Sequence, residues 1–122
     1  MKAAITALGT DLKAQVDARF GRAQYFIIID TDTMEFEVIS NASIEAMHGA
    51  GIQSGQLMSS KGVTAVITGQ VGPNAHQTLT AAGVQIYHSG NITVEQAIDA
   101  YKKGELKAIT QISPAHGGMG RS

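Results

Sequence analysis

Residues 68–75 read Thr68-Gly69-Gln70-Val71-Gly72-Pro73-Asn74-Ala75, and this stretch decides the fold. Before it, residues 63–68 are a β-branched run broken by one Ala, the composition of a buried strand. After it, Gly72 suits a helix N-cap and Pro73 suits the first helical position, where a missing N–H removes nothing. Ala75, Leu79 and Ala82 recur at i, i+4 and i+7, and Gly83 closes the helix. Residues 84–87 supply the next strand. A buried strand, a helix and a second strand in close succession predict parallel strands joined by a right-handed crossover.

Working outward, Thr93 and Gln96 form a capping box, in which each side chain satisfies a free N–H of the other residue. Val94, Ala97, Ile98 and Tyr101 make the apolar stripe of that helix. Lys102 and Lys103 complement its dipole in the last turn, and Gly104 stops it. On the other side, helix signals over 50–61 end at Gly62, which suits a left-handed C-terminal cap. Gly51, Ser54, Gly55 and Met58 fall on one face of that helix and let it approach the sheet closely. In the first half, 2–8 is a short apolar strand stopped by Gly9-Thr10-Asp11. Residues 25–30 contain three successive Ile and read as a central strand. Residues 35–40 alternate, with Phe36 and Val38 on one face and Glu35 and Glu37 on the other, so the two segments make a β-hairpin. Residues 11–23 read as a long functional loop, 41–49 as a polar loop, and 106–112 are ambiguous, with a short extra strand as one reading. From Pro114 the chain is a Gly-rich tail.

The predicted order is β-β-β-α-β-α-β-α. It implies a three-layer α/β fold with a five-stranded mixed sheet, order 3-2-1-4-5 and strand 2 antiparallel, a ribonuclease-H-like arrangement. One domain is expected over 1–112, with a flexible tail at 113–122.

Composition sets limits on function. With 122 residues, 43% hydrophobic and 16% charged, the chain can bury a core without disulfides or metal. A formal net charge of −1 argues against a broad phosphate-neutralising surface and hence against nucleic acid as a partner. There is no Cys, so disulfides, thiolate-held zinc or iron–sulfur clusters and thiol catalysis are all excluded. No apolar run approaches the roughly 20 residues that span a bilayer, and no signal segment is visible, so the expected location is cytoplasmic, with no membrane partner.

Enzyme chemistry finds little support. A two-metal nuclease needs carboxylates in the sheet centre, and 2–8 carries none. No G-x-S-x-G, P-loop or G-x-G-x-x-G pattern is present. His48, His76, His88 and His116 show no local ligand spacing, and each alone is most simply a loop or surface side chain. Position is more telling. Ligands of α/β sheets gather outside the carboxyl ends of parallel strands, here 9–11, 68–74 and 88–91. Helix starts near Gly49, Gly72 and Thr93 are directed to the same edge, with Arg19 and Arg22 on the long loop. The combination predicts a shallow site for an anionic ligand.

Several motifs in order resemble one family. They are Asp17-x-Arg19-Phe20-Gly21-Arg22-Ala23, His48-Gly49-Ala50-Gly51-Ile52, Ile67-Thr68-Gly69-Gln70-Val71-Gly72-Pro73-Asn74-Ala75, and Thr93-Val94-Glu95-Gln96-Ala97 with Tyr101-Lys102-x-Gly104. Together they resemble the dinitrogenase iron–molybdenum cofactor biosynthesis family, which includes NifX-like proteins and the C-terminal region of NifB. The resemblance implies a small non-catalytic carrier of an iron–sulfur or iron–molybdenum type cluster, with a donor or client protein as partner. It implies cofactor contacts from Arg19, Phe20, Gly21, Arg22, His48, Gly49, Gly51, Gly69, Gly72, Asn74 and His88. Nitrogenase-linked members commonly carry His just before the Phe-Gly pair. Here Arg19 stands there, and its guanidinium stays protonated and is no ordinary metal ligand. Metal ligation is therefore expected from His48 and His88, with Met47 third. The alternative on the same fold is an anion- or small-molecule-binding regulatory module without a cluster.

Overall fold

In the computed structural model, residues 1–40 and 57–109 are described. The expected loop at 41–49, with Met47, His48 and Gly49, lies outside them, as do Gly51, most of the helix expected over 50–61, and the expected tail with His116.

The chain runs β1 Lys2–Ala7, β2 Tyr25–Asp30, β3 Phe36–Ser40, β4 Val63–Thr68, α1 Pro73–Ala81, β5 Gln85–His88, α2 Val94–Lys102 and β6 Lys107–Ala108. These strands form one mixed sheet ordered β3-β2-β1-β4-β5-β6. β1–β4 and β4–β5 are parallel, while β2 runs antiparallel to both β1 and β3. The expected order of the first five strands is therefore observed. The expected five-stranded sheet is corrected to six: β6 adds two residues antiparallel to β5, pairing Tyr87 with Ala108 and His88 with Lys107. Two residues cannot show a two-residue period, so no alternation could mark this strand in the sequence.

Strand alternation separates two cores. On one face Ala4, Phe26, Ile28, Val66 and Ile86 pack with Leu79 of α1 and with Met58 from the helical turn 57–60. On the other, Ala3, Ile5, Ile27, Ile29, Ala65 and Ile67 pack with Val94, Ala97 and Ile98 of α2. Each fully buried Leu or Ile contributes about 1.5–3 kcal/mol relative to exposure. β1 from Ala3 and β4 from Ala65 are buried on both faces, which is why these stretches show no apolar–polar alternation. β3 is one of the two edge strands. Val38 reaches the α2-side core and Ile39 the other, whereas Phe36, expected beside Val38, is 42% exposed at the hairpin end.

Gly62, Gly83 and Gly104 follow helical segments with φ of 80°, 80° and 73°. A side chain there would strain the left-handed conformation. Among the described residues no helix is long and apolar enough to cross a membrane.

Candidate functional site

The carboxyl ends of β1, β4 and β5 lie side by side, since β4 pairs in parallel with both neighbours. The loop after β1, irregular in its sequence, is bound to this edge by main-chain hydrogen bonds. Leu8 N–H donates to Gln15 O at 2.9 Å, and Asp17 N–H to Thr6 O at 2.8 Å. The loop then runs beside the segment after β4: Gln70 N–H donates to Ala18 O at 2.7 Å and Phe20 N–H to Gln70 O at 3.1 Å. Gly69 permits this approach. A Cβ there would lie 2.7 Å from Ala18 O and 2.8 Å from Ala18 Cα, closer than non-bonded atoms tolerate.

Asp17 opens the motif that contains Arg19 and Phe20 but is not among the expected cofactor contacts, yet it organises this loop. Its side chain is 3% exposed. Oδ1 accepts from Arg19 N–H at 3.1 Å and from Arg19 Nε at 3.3 Å, and Oδ2 accepts from Gln24 N–H at 3.1 Å. Beneath it two buried hydroxyls connect the strands. Thr6 O–H donates to Asp17 O at 2.6 Å, so the 2.8 Å contact between Thr6 and Thr68 has Thr68 as donor.

The expected site residues divide into groups. The segment after β4 connects two of them: Arg19 bridges to Gln70 on one side, and His88 contacts Gly69 on the other. Arg19 is pinned at Nε by Asp17 with its side chain 55% exposed, and no described residue accepts from its Nη groups. His88 is exposed, with Nδ1 3.0 Å from Gly69 O. A carbonyl only accepts, so Nδ1 carries the proton in this contact, and in the neutral ring Nε2 keeps a free lone pair. Ligating histidines commonly show this second hydrogen bond. Phe20 turns inward: it is 1% exposed and meets Phe26 edge-on with ring centroids 5.3 Å apart, so it anchors the loop from below. Arg22 is exposed and forms no ion pair with a described residue; Gly21 lies half-buried beside it. Asn74 is exposed in the first turn of α1. His76 lines a cleft of about 320 Å³ between α1 and β5, with Thr80, Gln85 and Ile86.

The two described helix starts differ. At α1, Gly72 has no capping side chain and Pro73 has no N–H, so the first-turn amides are uncapped. At α2 the expectation of an open anion-binding end is corrected. Val94 N–H donates to Ala14 O at 2.8 Å, Glu95 N–H to Leu12 O at 2.9 Å, and Gln96 N–H to the Thr93 hydroxyl at 3.1 Å. The loop after β1 has taken those donors, and Glu95 adds a negative charge there.

β6 adds a cation that no motif indicated. Lys107 stands directly across from His88, and facing residues of an antiparallel pair project to the same side of the sheet. Lys107 has no ion-pair partner among the described residues. The edge thus offers Arg22 and Lys107 as uncompensated cations, Arg19 as a compensated one, and His88 Nε2 as a candidate ligand. Among the described residues no group of three or more His, Asp or Glu is arranged to hold a bare metal ion.

The fold is an α/β domain with a mixed sheet, and cationic side chains lie along one edge of it. The model of the dinitrogenase iron–molybdenum cofactor family matches residues 1–104, and the chain belongs to that family. A Thermotoga protein provisionally described as a NifB protein superposes with a TM-score of 0.81 at 43% identity, covering 94% of this chain and 98% of that one. The apo form of the orange protein from Desulfovibrio gigas superposes with a TM-score of 0.82 at 37% identity, covering 89% and 92%. A Methanocaldococcus jannaschii protein of uncharacterized function is 28% identical over 96 residues, 76% of this chain and 81% of its own.

Proposed function

We propose that this protein is a non-catalytic, cytoplasmic carrier that binds an iron–sulfur or iron–molybdenum type cluster as cargo, receiving it from a donor protein or delivering it to a client. The observation that carries the reading is the chemistry of the edge. Arg19, Arg22, Lys107 and the uncapped α1 amides attract an anion, while the chain contains no thiolate to build a cluster on. Such an edge suits a cluster that arrives with its own sulfide ligands and is held mainly by charge and hydrogen bonds. His88, pre-oriented by Gly69, supplies the one described ligand position, and His48 is the second candidate. Family membership supports the same cargo.

The test is anaerobic cluster reconstitution, then metal analysis and visible absorption. Iron or molybdenum is expected to co-elute with the wild type, with affinity lowered about tenfold or more in His88→Ala and His48→Ala. A wild type that retains neither metal refutes the carrier reading. The uncapped start of α1 then favours the anion-binding alternative, tested by phosphate titration with amide shifts read at Asn74 and Ala75.

A further inference from the structure

Every polar atom of Asp17 is in use. Its N–H and C=O are tied to Thr6 of β1, and its two carboxylate oxygens take three donors. The backbone contacts fix where the residue sits. The carboxylate then fixes the rest of the loop: the amides of Arg19 and Gln24 bracket it, and Arg19 Nε sets the direction of one long side chain. A carboxylate needed only to fold the loop would be satisfied by the two amides. The contact to Nε restrains a guanidinium more than half exposed to solvent, which costs rotamer entropy and gains little across water.

We propose that Asp17 is the positioning residue of the cargo site, holding Arg19 at Nε so that its Nη groups meet an anionic metal–sulfide cargo. This rests on the carrier reading above. It also makes a prediction opposite in sign to simple charge counting. Removing a carboxylate beside an anion site strengthens anion binding if charge alone matters. If orientation matters, the same removal weakens it, because Arg19 must be ordered afresh for each binding event.

The experiment is a double-mutant cycle with Asp17→Asn and Arg19→Gln in the full chain, titrated with tetrathiomolybdate, a sulfide-ligated molybdenum dianion, by visible absorption. Asp17→Asn is expected to weaken binding about tenfold when Arg19 is present and less than about twofold in the Arg19→Gln background. Equal losses in both backgrounds mark Asp17 as a loop staple and overturn the proposal, as does tighter binding in Asp17→Asn. A second readout needs no cargo and no variant: the Arg19 Nε–H signal in the wild type by NMR. A slowly exchanging, ordered Nε–H is expected, and a freely averaging one overturns the proposal even if Asp17→Asn fails to fold. If the wild type takes up no tetrathiomolybdate and retains no iron on reconstitution, the carrier reading fails; if it retains iron alone, the cycle is run with the reconstituted cluster, and in either case the Nε–H measurement decides whether Asp17 orients Arg19.

Discussion

Gly69→Ala tests the central joint of the site. The added methyl would sit 2.7 Å from Ala18 O, 2.8 Å from Ala18 Cα and 3.0 Å from Ala18 Cβ. None of these is the end of a flexible side chain. Relief requires the loop and the end of β4 to separate by several tenths of an ångström. That movement loosens the hydrogen bonds Gln70–Ala18 at 2.7 Å and Phe20–Gln70 at 3.1 Å, which hold the two segments together. Overpacking costs about 1–3 kcal/mol and each weakened hydrogen bond up to about 1 kcal/mol, giving a loss of roughly 2–4 kcal/mol. Against a typical total of about 5–15 kcal/mol the domain stays folded, with Tm lowered by roughly 10 °C. Urea unfolding of Gly69→Ala beside Gly72→Ala provides the assay. A Cβ at Gly72 meets nothing within 4 Å at φ −75°, so that variant is expected within about 1 kcal/mol of wild type. The same joint carries function, because the Gly69 carbonyl orients His88. Gly69→Ala should therefore lose cargo affinity even where it is fully folded. A Gly69→Ala midpoint equal to wild type would show that loop and strand are not in the described contact, and the positioning argument would fall with it.

Two further perturbations probe other parts of the structure. Thr93→Ala removes the hydroxyl that accepts from Gln96 N–H at 3.1 Å and is expected to cost about 1 kcal/mol, read from unfolding midpoints; an unchanged midpoint refutes the cap. The Asp32 and Thr33 amides donate to Asp30 and hold its pKa below the usual carboxylate value. A depressed folded-state pKa gives stability that is present above the unfolded value and lost as pH falls through the folded one. Asp30→Ala is thus expected to be less stable than wild type at neutral pH, with the difference starting to shrink only as pH falls below about 4, and a constant difference contradicts this.

The residues that announce themselves in the sequence do so through local physics. Gly72-Pro73 starts α1, Thr93 and Gln96 cap α2, and the three Ile of β2 need both faces covered. Gly62, Gly83 and Gly104 close helical segments through positive φ, as their positions suggest. The features hidden from the sequence depend on partners distant in the chain. The motif places Asp17 beside Arg19 in the chain, but its role shows only where Thr6 holds its backbone and the Gln24 amide reaches its carboxylate. Lys107 enters the site only because β6 pairs there with β5. At the start of α2 the capping box accounts for one amide in the sequence, and only the tertiary fold shows the Leu12 and Ala14 carbonyls occupying the next two.

That occupation bears on which changes the loop after β1 can absorb. Leu12 and Ala14 reach α2 through their carbonyls, and Leu8 and Val16 are held through their amides, with Val16 N–H donating to Ile92 O. The attachment is made of groups nearly every amino acid possesses. Exposed positions such as Thr10, Lys13 and Gln15 are therefore open to wide substitution, and the loop can diverge in charge and surface while keeping its course. Proline at Leu8 or Val16 is the exception, since it deletes the donor itself. The path from β1 to Val16 is thus written in the main chain, whereas the last step to Arg19 depends on two side chains, the Asp17 carboxylate and the buried Phe20 ring.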